Sequence, residues 1–131
     1  MHKFRNQLLA LASTAEVQLA LFPSGVCIGD ELVSDFDRHK QAFLASQETT
    51  APQRHALDAL EAFIAELSGP HNVVFWCDPE PLTEDPRWEQ IRELSRAALQ
   101  SLGWEYSLPI KNGATYAFFD RVEENIDADD N

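Results

Sequence analysis

Apolar residues recur at helical spacing over four stretches of the chain. Phe4, Leu8, Leu11 and Ala15 predict a first helix over 3–14. Leu32, Phe36 and Phe43 form one stripe, with Val33 and Leu44 at its edge, and predict a second helix over 30–46. Leu57, Leu60, Phe63, Ile64 and Leu67 predict a third over 52–68, closed by Gly69 and Pro70. Trp88, Ile91, Leu94, Ala98 and Leu102 predict a fourth, with Asp85 as N-cap, Pro86 in the first turn and Gly103 at the end. Glu89–Arg92 and Glu93–Arg96 are i,i+3 pairs expected on the wet side of that helix.

Elsewhere the period shortens. Val17, Leu19 and Leu21 alternate with Glu16, Gln18 and Ala20, so residues 15–22 fit either a short strand or a continuing helix until Pro23 and Gly25. "NVVFWC" reads as a buried strand, and the prolines of "DPEPLTEDP" predict irregular chain. After Gly103, the alternation of Trp104, Tyr106, Leu108 and Ile110 leads into Asn112-Gly113 and resumes with Tyr116 and Phe118, a β-hairpin signal. Pro109 would confine the first of these strands to an edge. The expected fold is therefore α+β and mainly α, with about four helices and a small C-terminal antiparallel β-hairpin or sheet. Residues 1–120 are expected to form one globular domain, and 121–131 an acidic, frayed tail.

Composition changes this picture in one respect. With 44% apolar and 24% charged residues in 131, the chain can bury a core without metal or disulfide. Its charge is unusual: 22 Asp and Glu against 10 Lys and Arg give a net −12. Such an excess repels nucleic acid and anionic membrane and speeds encounter with a basic protein. The basic residues are scattered and form no nucleic-acid patch. Cys27 and Cys77, 50 residues apart in apolar surroundings and outside any C-x-x-C pair, are expected as buried free thiols. The chain has neither an 18-residue apolar run nor a signal-like start, so the cytoplasm is the expected compartment.

The densest chemistry lies in "GDELVSDFD", where Asp30, Glu31, Asp35 and Asp37 fall within nine residues. Helical geometry puts Asp30 and Asp37 on one flank of the face opposite Leu32 and Phe36, and Glu31 and Asp35 on the other. The four carboxylates are expected to fan across a solvated face, with Asp30 and Glu31 in the first turn favoured by the helix dipole. A metal site would need convergence, and no Glu-x-x-His occurs; His55, Asp58 and Glu61 drift off their apolar stripe. His39 reads as a surface residue and His71 as a loop residue. Neither cysteine has a base nearby in sequence, and no G-x-S-x-G or phosphate loop is present. No catalytic, cofactor or metal residues are therefore assigned. Trp88 and Trp104 read as core, whereas Trp76, beside "CDPEP", is the candidate aromatic anchor for a partner.

Three blocks, "LALFPSGVCIGDELVSDFD", "RHALDALEAFIAELSG" and "DPRWEQIRELSRAALQSLGW", resemble an uncharacterised group of small acidic bacterial proteins. The resemblance covers residues 17–104 and rests on core positions and punctuation, so it carries over no catalytic residue. In general character the chain is also similar to the immunity proteins that bacteria keep beside secreted toxins: short, acidic and without catalytic motifs. That likeness implies a non-catalytic protein that neutralises a basic toxin domain by contact, with Asp30, Glu31, Asp35, Asp37 and Trp76 as partner-binding residues and no cofactor. The alternatives are a metal-dependent hydrolase using Asp30, Asp35 and His55, or a structural or regulatory subunit of another assembly.

Overall fold

The computed structural model describes residues 2–110. Among these there are seven α-helices and one 3-10 turn, Pro70–Asn72, and no strand. The helices are α1 His2–Ala12, α2 Ala15–Ala20, α3 Ile28–Ser46, α4 Ala51–Glu66, α5 Val73–Cys77, α6 Pro79–Glu84 and α7 Pro86–Ser101. The four long ones lie where their apolar periodicity puts them. α7 packs on both α1 and α4, and α1 packs on α3. Phe4, Leu8, Leu11, Leu32, Phe36, Leu57, Leu60, Trp88 and Ile91 fill the space between them.

Local chemistry sets the helix ends. The Thr50 hydroxyl accepts from the Gln53 amide while the Gln53 side chain accepts from the Thr50 amide, a capping box that opens α4. Asp85 accepts from the Arg87 amide at 2.8 Å, and Pro86 takes the first position of α7. At the other end of α7, Gly103 sits at φ 75°. Its N–H donates to the Gln100 carbonyl at 3.0 Å and the Trp104 N–H to the Leu99 carbonyl at 2.9 Å. This is a Schellman motif, and glycine supplies the left-handed backbone it requires.

That motif explains the first correction, which is to the fold class. The fold is all-helical over the described residues, not α+β, and it has more than four helices. The Schellman turn folds Trp104 back against Phe4 and Phe43, with ring centroids 6.2 and 5.7 Å away. The chain then runs antiparallel to α1: the Tyr106 and Ser13 hydroxyls are 2.7 Å apart, and the Asn6 side-chain amide exchanges two hydrogen bonds with the backbone of Ile110. Alternation along 104–110 thus marks chain laid along a helix, with no strand beside it among the described residues. The expected turn at Asn112-Gly113, its second strand at Tyr116 and Phe118, and the tail 121–131 lie outside the described residues.

Three further segments differ from expectation or resolve it. Residues 15–20 are helix, capped by the Thr14 hydroxyl. "NVVFWC" is α5: Phe75 and Trp76 are buried side by side while Val73 and Val74 are 55% and 61% exposed, the arc of a helical turn. β-branched and aromatic residues favour strands only where a strand is there to pair with. The "DPEPLTEDP" stretch forms α6 because Pro79 and Pro81 fall in its first turn, where helical N–H groups have no partner to lose.

Cys27 and Cys77 are joined in a disulfide, with Cα atoms 4.1 Å apart, which corrects the expectation of free thiols. Spacing in sequence could not reveal this, since α3 and α5 meet only in the folded chain. Gly29 allows that approach: a Cβ there would stand 2.5 Å from the Trp76 carbonyl oxygen and 2.8 Å from the Trp88 ring.

Candidate functional site

The acidic stretch on α3 divides into two environments. Asp30 and Asp37 are exposed and Glu31 is half-buried. Partial burial, with the negative charges of Asp35 and Asp30 nearby, raises the Glu31 carboxyl above its ordinary range. Asp35 does not join an outward fan: it is 7% exposed and paired with Arg38. Its backbone carbonyl lies 2.9 Å from Nδ1 of His39. His39 is half-buried, not a surface residue, and burial lowers its pKa.

One turn further along α3, Lys40 is 3% exposed. Its ammonium meets the Glu61 carboxylate and lies 3.5 Å from that of Asp58, both on α4. Asp58 and Glu61 therefore serve to join two helices. A signal for this exists in the sequence, because Lys40 falls on the Leu32–Phe36–Phe43 stripe, four residues after Phe36. Arg92, four residues after Trp88, repeats the pattern on α7 and is likewise buried, not on a wet face. Its guanidinium donates to the Gln18 side-chain oxygen at 3.0 Å and to the Leu82 carbonyl, and pairs with Glu89 at 3.3 Å. Gln18 in turn donates to the carbonyls of Ala10 and Leu11. Burial lowers the Arg92 pKa, but with its donors engaged the group acts as a knot tying α2, α6 and α7 to the end of α1. Arg96 pairs with Glu89 as well, at 3.4 Å.

Trp76, expected as an exposed anchor, is 9% exposed and faces inward. Its indole N–H donates to the Leu67 carbonyl at 3.0 Å, and its ring packs edge-on to Trp88 at 5.7 Å. Its neighbours Val73 and Val74 face outward instead, ahead of the exposed carboxylates of Asp78, Glu80 and Glu84. A second feature is a recess of about 420 Å³ beside the C-terminus of α7, lined by Arg96, Leu99, Gln100, Trp104, Glu105 and Tyr106.

Asp30, Asp35 and His55, the residues a metal-dependent hydrolase would use, are not brought together; among the described residues no three His, Cys, Asp or Glu side chains are placed to hold a metal ion. The arrangement offers an outward surface dominated by carboxylates. Arg38, Lys40, Arg87, Arg92 and Arg96 are each drawn into ion pairs, Lys40 and Arg92 beneath the surface. Asp30, Asp37, Glu66, Asp78, Glu80, Glu84 and Glu93 remain exposed. Comparison with protein-family models, with curated proteins and with solved structures found no match to this chain.

Proposed function

We propose that this is a non-catalytic binding protein whose acidic surface recognises a basic protein. In its most concrete form it is an immunity-type protein that neutralises a basic toxin domain by contact. The observation that carries this reading is the disposition of charge: the net −12 chain turns much of its positive charge inward or into pairs and leaves carboxylates outside. A field of that sign accelerates encounter with a basic partner and discourages nucleic acid and anionic lipid. Asp30, Glu31 and Asp37 are the α3 residues offered to the partner. Asp35 and Trp76 contribute from beneath, by fixing the helices that present them.

The compartment we propose is the cytoplasm. Among the described residues no helix is long and apolar enough to cross a membrane. In that compartment the Cys27–Cys77 bond would face reduction by cellular thiols. Fractionation of the native host decides the point.

The functional test begins with the product of the adjacent gene, purified and mixed with this protein. Stopped-flow association should be fast and fall steeply with salt, because a Debye length of about 8 Å at physiological ionic strength curtails the attraction. Asp30→Asn, Glu31→Gln and Asp37→Asn together should slow association and leave the far-UV spectrum unchanged. An on-rate indifferent to both salt and these substitutions would reduce the carboxylates to solubilising charge.

A further inference from the structure

We propose that the Cys27–Cys77 pair is a reversible thiol–disulfide switch that fixes or frees residues 70–84. The inference is independent of any partner and rests on where the two sulfurs sit. Cys27 is the N-cap residue of the 19-residue α3 and makes no side-chain capping hydrogen bond there. Cys77 is the last residue of α5. Both residues are partly exposed.

The helix terminus gives the exchange a direction. Unsatisfied N–H groups at the start of α3 carry partial positive charge and stabilise a thiolate on Cys27. Cys27 is therefore the better leaving group, and attack falls on Cys77. One glutathione thiolate attacks Sγ of Cys77, the protein S–S bond breaks, and Cys27 departs as the thiolate. A second glutathione thiolate attacks the glutathione sulfur of the mixed disulfide and releases Cys77. Two electrons and two protons pass to the protein, which ends with two thiols, and one molecule of oxidised glutathione forms. Oxidised glutathione drives the reverse sequence.

The packing confines the consequence to one region. α1 and α4 each bury their stripes against α7, in a core that Cys77 only borders. Residues 70–84 add only Phe75, Trp76 and Leu82 to that core, and are held further by the Trp76 hydrogen bond to Leu67, the Trp88 hydrogen bond to Phe75, the Arg92 hydrogen bond to Leu82, and the disulfide. Of these the disulfide alone is covalent and alone responds to redox conditions. Cutting it loosens the outward face of α5, where Val73 and Val74 lie next to Asp78, and spares the long helices.

The test uses the full chain without denaturant. It is incubated in excess reduced glutathione and then in excess oxidised glutathione, with thiols trapped by alkylation and intact masses weighed. Hydrogen exchange is followed in both states and in a double variant, Cys27→Ser with Cys77→Ser. The expected result is complete, reversible interconversion. Amides of residues 73–84 should exchange at least about tenfold faster when reduced, through local opening, while those of α1, α4 and α7 should speed up no more than the overall loss of stability requires. The double variant should show the fast pattern under both conditions. A bond that glutathione cannot cut until denaturant is added would make it a permanent staple and overturn the proposal. Identical exchange in the two states, or loss of protection throughout the chain, would overturn it equally.

Discussion

Along the 16-residue α7, Trp88, Ile91, Ala98 and Leu99 bury one continuous stripe, whereas residues 70–84 give the same core only Phe75, Trp76 and Leu82 from two short helices. Losing one residue from a stripe leaves a cavity that its neighbours feel together. Losing one of the few contacts that hold a short segment loosens that segment first. The difference shows why a small helical protein can carry a rigid scaffold and an adjustable edge within one short chain, and it orders the expected effects of mutation.

Trp88→Ala should be the most damaging, lowering stability by about 3–5 kcal/mol in chemical denaturation, because it empties the place where α7 meets Phe75 and Trp76. Cys27→Ser should come next, costing about 2–4 kcal/mol under oxidising conditions, since the bond closes a long loop in the unfolded chain. A loss for Cys27→Ser that matched Trp88→Ala and melted every helix together would erase the distinction between scaffold and edge.

Gly29→Ala should cost about 1–3 kcal/mol by forcing α3 away from the Trp76 carbonyl. Its exchange signature should concentrate in residues 73–77. Asp35→Ala should cost about 1–2 kcal/mol, since the carboxylate is buried beside Arg38, whereas exposed Asp37→Ala should change stability by under about 0.5 kcal/mol. Equal, small effects at the two positions would return Asp35 to the solvated face.

The smallest effect is a pH dependence at His39. Its folded pKa lies below the ordinary 6.5 because the ring is partly buried. Above that value both states are neutral and the full stability is present. Below it the unfolded chain takes up the proton first, so stability falls until the folded pKa is reached. Denaturation at about pH 7.5 and about pH 5.5 should therefore show a larger acid loss for the native protein than for His39→Asn. No difference between them would mean that His39 titrates as it does in the unfolded chain.

What the sequence revealed follows the same division. Stripes such as Leu57–Leu60–Leu67 are local patterns, and the long helices they predict are present. Alternation at 104–110 is local too, but it records a chain laid against α1 and so imitates a strand. The buried charges Lys40 and Arg92 were legible in principle, since each sits four residues along from a large apolar side chain on its own stripe. The partnership of Cys27 with Cys77, the inward turn of Trp76 and the need for Gly29 depend on how α3 meets α5. No window along the chain contains that information.

Native-state hydrogen exchange of the oxidised protein across low denaturant tests the division between stripe-held scaffold and separately attached edge most directly. Amides of residues 73–84 should exchange through an opening that costs less than opening α7 and depends less steeply on denaturant, as expected when little surface is exposed. If both regions instead open with the same free energy and the same slope, residues 70–84 belong to the cooperative core and the division is wrong.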